Sequence, residues 1–539
     1  MKFSDSEACE VVIVGAGPTG LMLGNLLGTY GVRCRILERR EEPFTEPRAI
    51  AYDPETLRLF QAVGCYEGLE PTLLKDVPVS YLNAAGKTLA HIYACPPSFG
   101  HSGRGTYYQP ELEQALIYGL AGHQEVELVR GVEVTDVRET GDYVVLSLRC
   151  GDEEAGQLKA RYVVDCSGGS SQIRRQLGID FAGNTFREKW LVIDVVGDDY
   201  EDQEIKFFCD PNRPAVTLPV SKSRRRWEFL VMPGDDEEEL ASESSARALM
   251  ASYGAGKADS IERSLVYTFH ARMAQRFRAG RVILAGDAAH VMPPFAGQGL
   301  NSGMRDAANL SWKLAGVVAG RFDDQLLDTY ELERRLHVEA MTKLAIKLGR
   351  SIMPTSAMRA WMRDLIMLTS WRFKRTRESV NRGDMIPKPS IAKSSLVNWK
   401  RGTGVGRMLE QPRVTKNGES LLLDDLLGSG FVVIGVNCRA SEDLHPRDLQ
   451  ILEQHLQANS VFITTSRDEH ADGRDDEGVL TDLIKRERGL LIVRPDRFLI
   501  DIVDANSSAP QLDWLADRFC LKNEVDELAN LSTPAVHQQ

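Results

Sequence analysis

Three glycines near the start of the chain, Gly15, Gly17 and Gly20, are spaced G-x-G-x-x-G and follow four β-branched residues, Val11 to Val14. That spacing suits the pyrophosphate of a dinucleotide. The first glycine allows a tight turn, the second lets backbone approach phosphate, and the third lets a helix pack on the strand. Pro18 lies in the same loop, and the mostly apolar run Leu21 to Leu27 continues it as a helix whose first N–H groups face the anion. Glu38 closes the next apolar stretch, Val32 to Leu37, where an acid can accept hydrogen bonds from an adenosine ribose, and Arg39 follows it. Much later, Asp287 ends another short apolar strand. It either caps a helix or accepts a hydrogen bond from a sugar-alcohol hydroxyl. Pro293 and Pro294 then stiffen a loop and withhold two N–H donors, while Gly297 and Gly299 permit close backbone approach. Arg48 is either a surface charge or a planar fork of donors for the dinucleotide's phosphates.

These residues need a framework. Val11 to Val14, apolar without alternation, predicts a parallel strand buried on both faces. Asp53 to Gly64 has helical spacing at Leu57, Phe60 and Val63, and Gln109 precedes another helix with Pro110 in its first turn. Val77 to Tyr93 and Val126 to Leu148 contain strand-like runs. Tyr162 to Asp165 is a further buried strand, followed by small residues and a basic helix, CSGGSSQIRRQLGI, suited to a second cofactor contact. From Phe181 to Phe269 alternating strands such as Trp227 to Val231 predict a separate sheet inserted into the first domain. Within it Arg224 to Arg226 reads as a solvated strand end or turn, and Asp235 to Glu239 as a solvated acidic run. Ala307, Leu310, Leu314 and Val317 predict an amphipathic helix whose positive N-terminus faces the Pro–Gly loop. Tyr330 to about Trp371 predicts helices that cover this domain or meet a second subunit.

The length of 539 residues suggests two to four domains at ~150 residues each. With 43% hydrophobic and 26% charged residues the chain has the composition of a soluble globular protein. A net charge of −12 argues against nucleic acid as the main partner. The nine cysteines form no C-x-x-C pair, so neither a disulfide framework nor a zinc site is expected, and no metal is assigned. The first ten residues are polar, and no apolar run approaches the ~20 residues of a membrane span, which makes the cytoplasm the expected compartment and excludes a membrane partner.

Taken together, GAGPTG with Glu38, DCSGGSSQIRR and AGDAAHVMPPFAGQGLNSGMRDAANLSWKL resemble the FAD fingerprints of the single-component flavoprotein aromatic hydroxylases, the para-hydroxybenzoate hydroxylase and phenol hydroxylase group. FFCDPNRP, RRRWEFLVMPGD, VYTFHARMAQRFRAGRVILAGDAAH, LLDTYELERR and VRPDRF resemble its 3-(3-hydroxyphenyl)propionate hydroxylase subfamily. The resemblance implies an α/β fold. A Rossmann-like FAD-binding domain with covering helices would span residues 1–75, 106–180 and 276–385. A substrate-binding β-sheet domain would occupy 76–105 and 181–275, a linker 386–412, and a thioredoxin-like domain 413–530. That last domain holds only Cys438 and Cys520 and so lacks a redox pair. Residues 531–539 would be a loose tail.

The resemblance also implies roles. Gly15, Gly17, Pro18, Gly20, Glu38 and Arg39 fall to the ADP half of FAD, Arg48 and Gln109 to further cofactor contacts, and Asp287 to the ribityl chain. Pro294, Gly297, Gly299, Leu300 and Asn301 lie beside the isoalloxazine ring, where a helix N-terminus suits negative charge on reduced flavin. Apart from the resemblance, Pro294, His270 and Tyr107 are candidates at the chemistry and Arg213, Arg226 and Tyr108 at the substrate; the alternative is a rigid turn for Pro294 and an ordinary structural role for each of the others. One departure stands out: the middle motif reads Asp-Gly in the family but Ser167-Gly168 here, which removes a fixed charge and touches coupling to the nicotinamide donor. Arg174 still matches the motif's basic residue. The implied reaction is ortho-hydroxylation of a phenol bearing a short carboxylate chain, with NADH or NADPH as electron donor, O2 as oxidant and a C4a-hydroperoxyflavin as the oxygen carrier; a homodimer is the expected assembly. Hydroxylation of another aromatic, heteroaromatic or polyketide substrate on the same scaffold is one alternative, and a flavin-binding protein without hydroxylation is another.

Overall fold

A computed structural model describes residues 8–93, 96–200, 202–255, 257–391, 394–401 and 404–519. The expected loose tail and Cys520 lie outside the described residues. The strand Cys9–Val14 sits at the centre of the first sheet, parallel to Cys34–Glu38 on one side and to the end of Glu153–Asp165 on the other. Val126–Arg130 and Val282–Leu284 extend the parallel set outward. Val11, Val12 and Ile13 are fully buried, as the unalternating run requires. Helices Pro18–Thr29 and Gly299–Val318 lie against this sheet, and they approach so closely that a Cβ on Gly303 would collide with the Thr19 hydroxyl.

The second sheet collects strands from well-separated stretches: Val79–Asn83, Thr88–Ile92, Phe181–Val196, Ile205–Cys209, Ala215–Ser221, Arg224–Leu230, Ser260–Ala274 and His290–Val291. One face, with Leu191, Ile193, Trp227 and Phe229, packs on the helix Glu243–Ala251. The other, with Trp190, Phe207 and Phe269, faces the first sheet's loops. Arg224 to Arg226 is a strand end, one of the two forms expected, but it is not solvated: Arg225 and Arg226 are 3% and 4% exposed. Their charges are buried because Asp198 and Asp194 are buried beside them. The acidic run is exposed from Asp236 to Glu239, but Asp235 is paired with Arg213.

In the third sheet Val432–Val436 is parallel to Asn459–Thr464 and antiparallel to Gly489–Val493, which is antiparallel to Leu499–Val503. Buried charges fix this unit to the rest. Arg58 spans to Asp424 with Nε and Nη2 at 2.8 Å each, and Glu333 accepts from Arg494 at 2.7 and 3.0 Å and from Lys313 at 2.8 Å. The stretch expected as a linker is packed down, with Ile391, Leu396 and Leu409 buried in the same cluster as both neighbours. Cys438 is buried and its Sγ donates to the Gly489 carbonyl; burial pushes its thiol pKa up, against a redox role.

Candidate active site

A cavity of about 600 Å³ runs from the glycine loop of the first sheet to the inner face of the second. At its first end the backbone does most of the work. Gly15 has φ +106°, and a Cβ there would lie 2.6 Å from the Cys166 carbonyl oxygen; a Cβ on Gly20 would collide with the Gly15 carbonyl. Gly17 caps the helix Pro18–Thr29 without a side-chain partner, and nothing stands within 4 Å of where its Cβ would be. An uncapped helix N-terminus opening on a cavity fits a pyrophosphate. Glu38 frames this end: its Oε2 accepts from Ala16 N at 2.9 Å and its Oε1 from Arg40 N at 3.0 Å. Pro18, Arg39 and Arg48 line the cavity as well.

The turn at residues 47–49 is clamped from two sides. Gln109 Oε1 accepts from the N–H groups of Arg48 (3.1 Å) and Ala49 (2.8 Å), and its Nε2 donates to Glu113 at 2.7 Å. Gln109 lines the cavity, but its amide is spent on this brace. From the second sheet Arg226 donates to the carbonyls of Arg48 (2.9 Å) and Pro47 and, through Nε and Nη2, to Asp194 at 2.7 and 3.0 Å. Arg263 adds bonds to Asp194 Oδ2 (2.8 Å) and Pro47 O (2.7 Å). The expectation that Arg226 binds substrate is therefore corrected: it lines the cavity, but its donors hold the turn.

Asp287 follows the strand Val282–Leu284 and caps no helix. Its side chain is open to the cavity, and desolvation by the surrounding protein raises its pKa against the opposing charges of His290 and Arg48. Behind it Asp306 accepts from Gly286 N (3.0 Å) and Arg334 Nε (2.8 Å) and pairs with His290 Nε2 (2.7 Å). Burial alone would raise the Asp306 pKa, but these partners hold it down at about 2. The Pro–Gly loop turns at Gly297, φ +62°, where a Cβ would lie 2.8 Å from that of Ala51. Pro294, Gly297, Gly299 and Leu300 line the cavity, and the helix Gly299–Val318 begins there with no side-chain cap. Asn301 does not face the cavity with its side chain. It is fully buried, donating to Gly297 O (2.7 Å) and Ala51 O (3.2 Å) and accepting from Thr56 Oγ1 (2.6 Å), so it latches the loop.

Ser167 does not leave its loop without charge. Its N–H and hydroxyl both donate to Asp165 Oδ1, at 3.0 and 2.5 Å, and Ser171 donates to the other oxygen. A carboxylate thus stands one hydrogen bond behind Ser167, with its pKa raised by burial and opposed by the two serines. Arg174 donates to Ala288 O and Gly169 O at 2.9 Å each, tying this loop to the Asp287 turn.

The far end of the cavity is aromatic. Tyr81 stacks on Phe207 with centroids 4.9 Å apart, Phe269 meets Phe295 edge-on at 5.7 Å, and Leu344 and Leu348 close the helical side. Two charged residues here were not anticipated: Arg104 and Glu228. Glu228 is buried, has Arg226 Nη1 at 4.0 Å, and forms no side-chain hydrogen bond among the described residues; burial raises its pKa. Alternation along RRRWEFL could have placed it, since Arg226 and Glu228 share a face. Arg104, alone in SGRGTYY, carries no such signal.

Three expected site residues lie elsewhere. Tyr107 is fully buried in the core, does not line the cavity, and burial holds its phenol protonated. Tyr108 donates to Thr45 O at 3.0 Å beneath the Arg224 guanidinium. Arg213 is tied to Asp235 at 2.7 and 3.0 Å and to Leu230 O at 2.9 Å. Sequence period could not reveal these: none of the three lies in a strand, and each is settled by what the fold brings against a loop or a helix start. His270 does line it, with Nδ1 3.1 Å from Thr185 Oγ1, and burial lowers its pKa with help from Arg272.

A glycine loop, an acid at the second strand and an uncapped helix thus face one cavity with an aromatic chamber. Residues 8–345 match the FAD binding domain family and residues 406–518 the HcaD C-terminal domain. The chain belongs to the FAD-dependent aromatic hydroxylases and is a flavin-dependent hydroxylase. It is 38% identical over 522 residues to 3-(3-hydroxy-phenyl)propionate/3-hydroxycinnamic acid hydroxylase 2 of Burkholderia vietnamiensis, covering 94% of this chain and 95% of that one. It is 35% identical to the corresponding hydroxylase of Klebsiella pneumoniae, over 96% and 95% of the two chains. Among solved structures, the flavin-dependent monooxygenase PieE in complex with FAD and substrate shares the fold at TM-score 0.78 and 19% identity, over 96% of this chain and all of that one. Aklavinone-11 hydroxylase with FAD and aklavinone does so at 0.78 and 23%, with the same coverage. No helix among the described residues is long and apolar enough to cross a membrane.

Proposed function

We propose that this chain ortho-hydroxylates a phenol carrying a short carboxylate side chain, with 3-(3-hydroxyphenyl)propionate as the reference substrate, using NAD(P)H and O2. One atom of O2 enters the ring C–H bond, the other leaves as water, and NAD(P)H is oxidised with uptake of one proton. The observation that carries this reading is the single cavity that joins two uncapped helix starts, at Gly17 and Gly299, to an aromatic chamber with few charges. FAD, when bound, supplies the redox chemistry.

The chain's own residues position and protect. The glycine loop, Glu38 and Asp287 hold the dinucleotide, and the clamp of Asp194, Arg226 and Arg263 fixes the 47–49 turn beside it. Tyr81, Phe207, Phe269 and Phe295 exclude water and orient the ring. Glu228, ionised, accepts the hydrogen bond of the substrate's phenolic hydroxyl and then its proton, activating the ortho carbon; its lack of another partner and its raised pKa suit a base. His270 stands on the strand two residues before Arg272, which pairs with Val291, and so beside the Pro–Gly loop; partial burial and the Arg272 charge favour its neutral form, which suits it to pass protons toward solvent. The order and sense of the four longest strands of the seven-stranded third sheet support a thioredoxin-like unit in a structural role, after an FAD-binding unit interrupted by the substrate sheet.

The test is aerobic NADH oxidation by the FAD-loaded protein with and without 3-(3-hydroxyphenyl)propionate, with products identified by mass. Stimulated oxidation and a product heavier by one oxygen are expected. Stimulation with peroxide alone overturns the substrate assignment, and no stimulation by any phenol overturns the reaction.

A further inference from the structure

We propose that Arg104 is the anchor for the substrate's carboxylate and so sets the preference for phenols with an anionic side chain. Four buried arginines elsewhere point one edge of the guanidinium, Nε with Nη2, at a carboxylate, whereas Arg104 is half-buried. The four are Arg58 on Asp424, Arg226 on Asp194, Arg305 on Glu55 and Arg494 on Asp496. On Arg104 those two atoms are buried and have no hydrogen-bond partner, and the residue forms no ion pair among the described residues. Guanidinium cannot shed its charge to escape burial, so an unpaired one is a costly feature that a bound anion relieves. Nε and Nη2 are closed to solvent, so an anion in the cavity meets the remaining nitrogen, Nη1, whose N–H groups can donate to one carboxylate oxygen or both.

The location selects which ligand that is. Arg104 lines the cavity at its aromatic end, close enough to Tyr81 for its charge to bear on that phenol, and Tyr81 stacks on Phe207. The two arginines that the second sheet brings to this cavity, Arg226 and Arg263, are spent on Asp194 and the Pro47 carbonyl. A ligand meeting Arg104 must therefore carry its anion on an aromatic body. Backbone fixes the position: Val77 N donates to Arg104 O at 3.3 Å, and Gly105 pairs with Tyr52 and Lys75 in a small sheet. With Glu228 at the hydroxyl and Arg104 at the carboxylate, the ring is held from both ends.

This rests on the hydroxylase reading of the cavity, and the experiment separates the two. Binding of 3-phenylpropionate, which has the carboxylate but no phenol to react, is measured by calorimetry on the FAD-loaded protein and on Arg104→Met and Arg104→Lys. In parallel kcat and KM are measured for 3-(3-hydroxyphenyl)propionate and its uncharged amide. Loss of a charge-assisted pair predicts binding weaker by on the order of 100-fold in Arg104→Met. KM should rise in the same proportion for the acid but not for the amide, with partial rescue by Arg104→Lys. Equal losses on acid and amide, unchanged binding, or no binding of 3-phenylpropionate to the unaltered protein would each overturn the assignment. Turnover of the amide or another uncharged phenol in that last case leaves the hydroxylase reading standing, whereas tight 3-phenylpropionate binding without turnover of any phenol sinks the hydroxylase reading alone.

Discussion

At the glycine-loop end the cavity meets main chain: the N–H groups that start two helices, and turns drawn together so closely that glycine is required at Gly15 and Gly20. At the aromatic end it meets side chains, Tyr81, Phe207, Phe269 and Phe295, carried by strands and a loop far apart in sequence. The first kind of site depends on space and backbone conformation, so it tolerates most side-chain changes but no added carbon at the close contacts. The second tolerates backbone adjustment but depends on which residue type faces inward. The Asp194 clamp joins them, because arginines of the second sheet hold a turn of the first unit.

The largest effect should come from the main-chain end. Gly15→Ala combines a φ of +106° with a collision against Cys166, so the protein should purify without flavin, read as the absence of the flavin absorbance band. Retained flavin would show that the loop relaxes and that side chains hold the cofactor instead. Breaking the clamp ranks next: Asp194→Ala removes the carboxylate that Arg226 and Arg263 share, leaving them only the longer contacts to Glu228 (4.0 Å) and Glu46 (3.7 Å), and should cost about 3–5 kcal/mol in denaturant unfolding. A loss below about 1 kcal/mol would mean the two ends are not coupled through this residue.

At the aromatic end Glu228→Gln should lower turnover by about 100-fold, the lower range for a general base, while flavin content stays intact. The pH profile sharpens this: because burial raises the Glu228 pKa and the ionised form is the active one, rate should climb with pH above the ordinary carboxylate range. That limb should vanish in Glu228→Gln; a limb that survives belongs to another group. The smallest effect is on acid stability at the main-chain end. Asp306 has its pKa depressed to about 2, so it contributes stability above the unfolded carboxylate value near ~3.9 and loses it as pH falls through about 2. Asp306→Asn should flatten unfolding free energy across that window by about 2 kcal/mol.

The dinucleotide end was legible because everything it needs is contiguous. A strand, a glycine turn and a helix start follow within Val11 to Leu27, and the acid ends the next strand, so spacing alone carries the geometry. The Asp287 turn and the Pro–Gly loop followed from the same local logic. Around the substrate the reading weakened where a residue's role depended on the partner across a gap. Arg226 and Arg213 were expected at the substrate, yet Asp194 and Asp235 claim them; Tyr107 and Tyr108 differ by one position and go to the core and to Thr45. Ser167 read as a lost charge because Asp165, two residues earlier, gave no sign of turning back toward it.

What the sequence by itself determined is the α/β frame, the dinucleotide loop, and membership of a flavoprotein hydroxylase family, since each is written in local spacing or contiguous motif. Only the tertiary structure decided which charges are spent and which are free. Arg104 and Arg226 are alike as residues; burial against Asp194 pairs one, while the fold brings no carboxylate to the other's Nε and Nη2. Pairing is set by strands meeting across the chain, and no periodicity within a strand encodes what will stand opposite it.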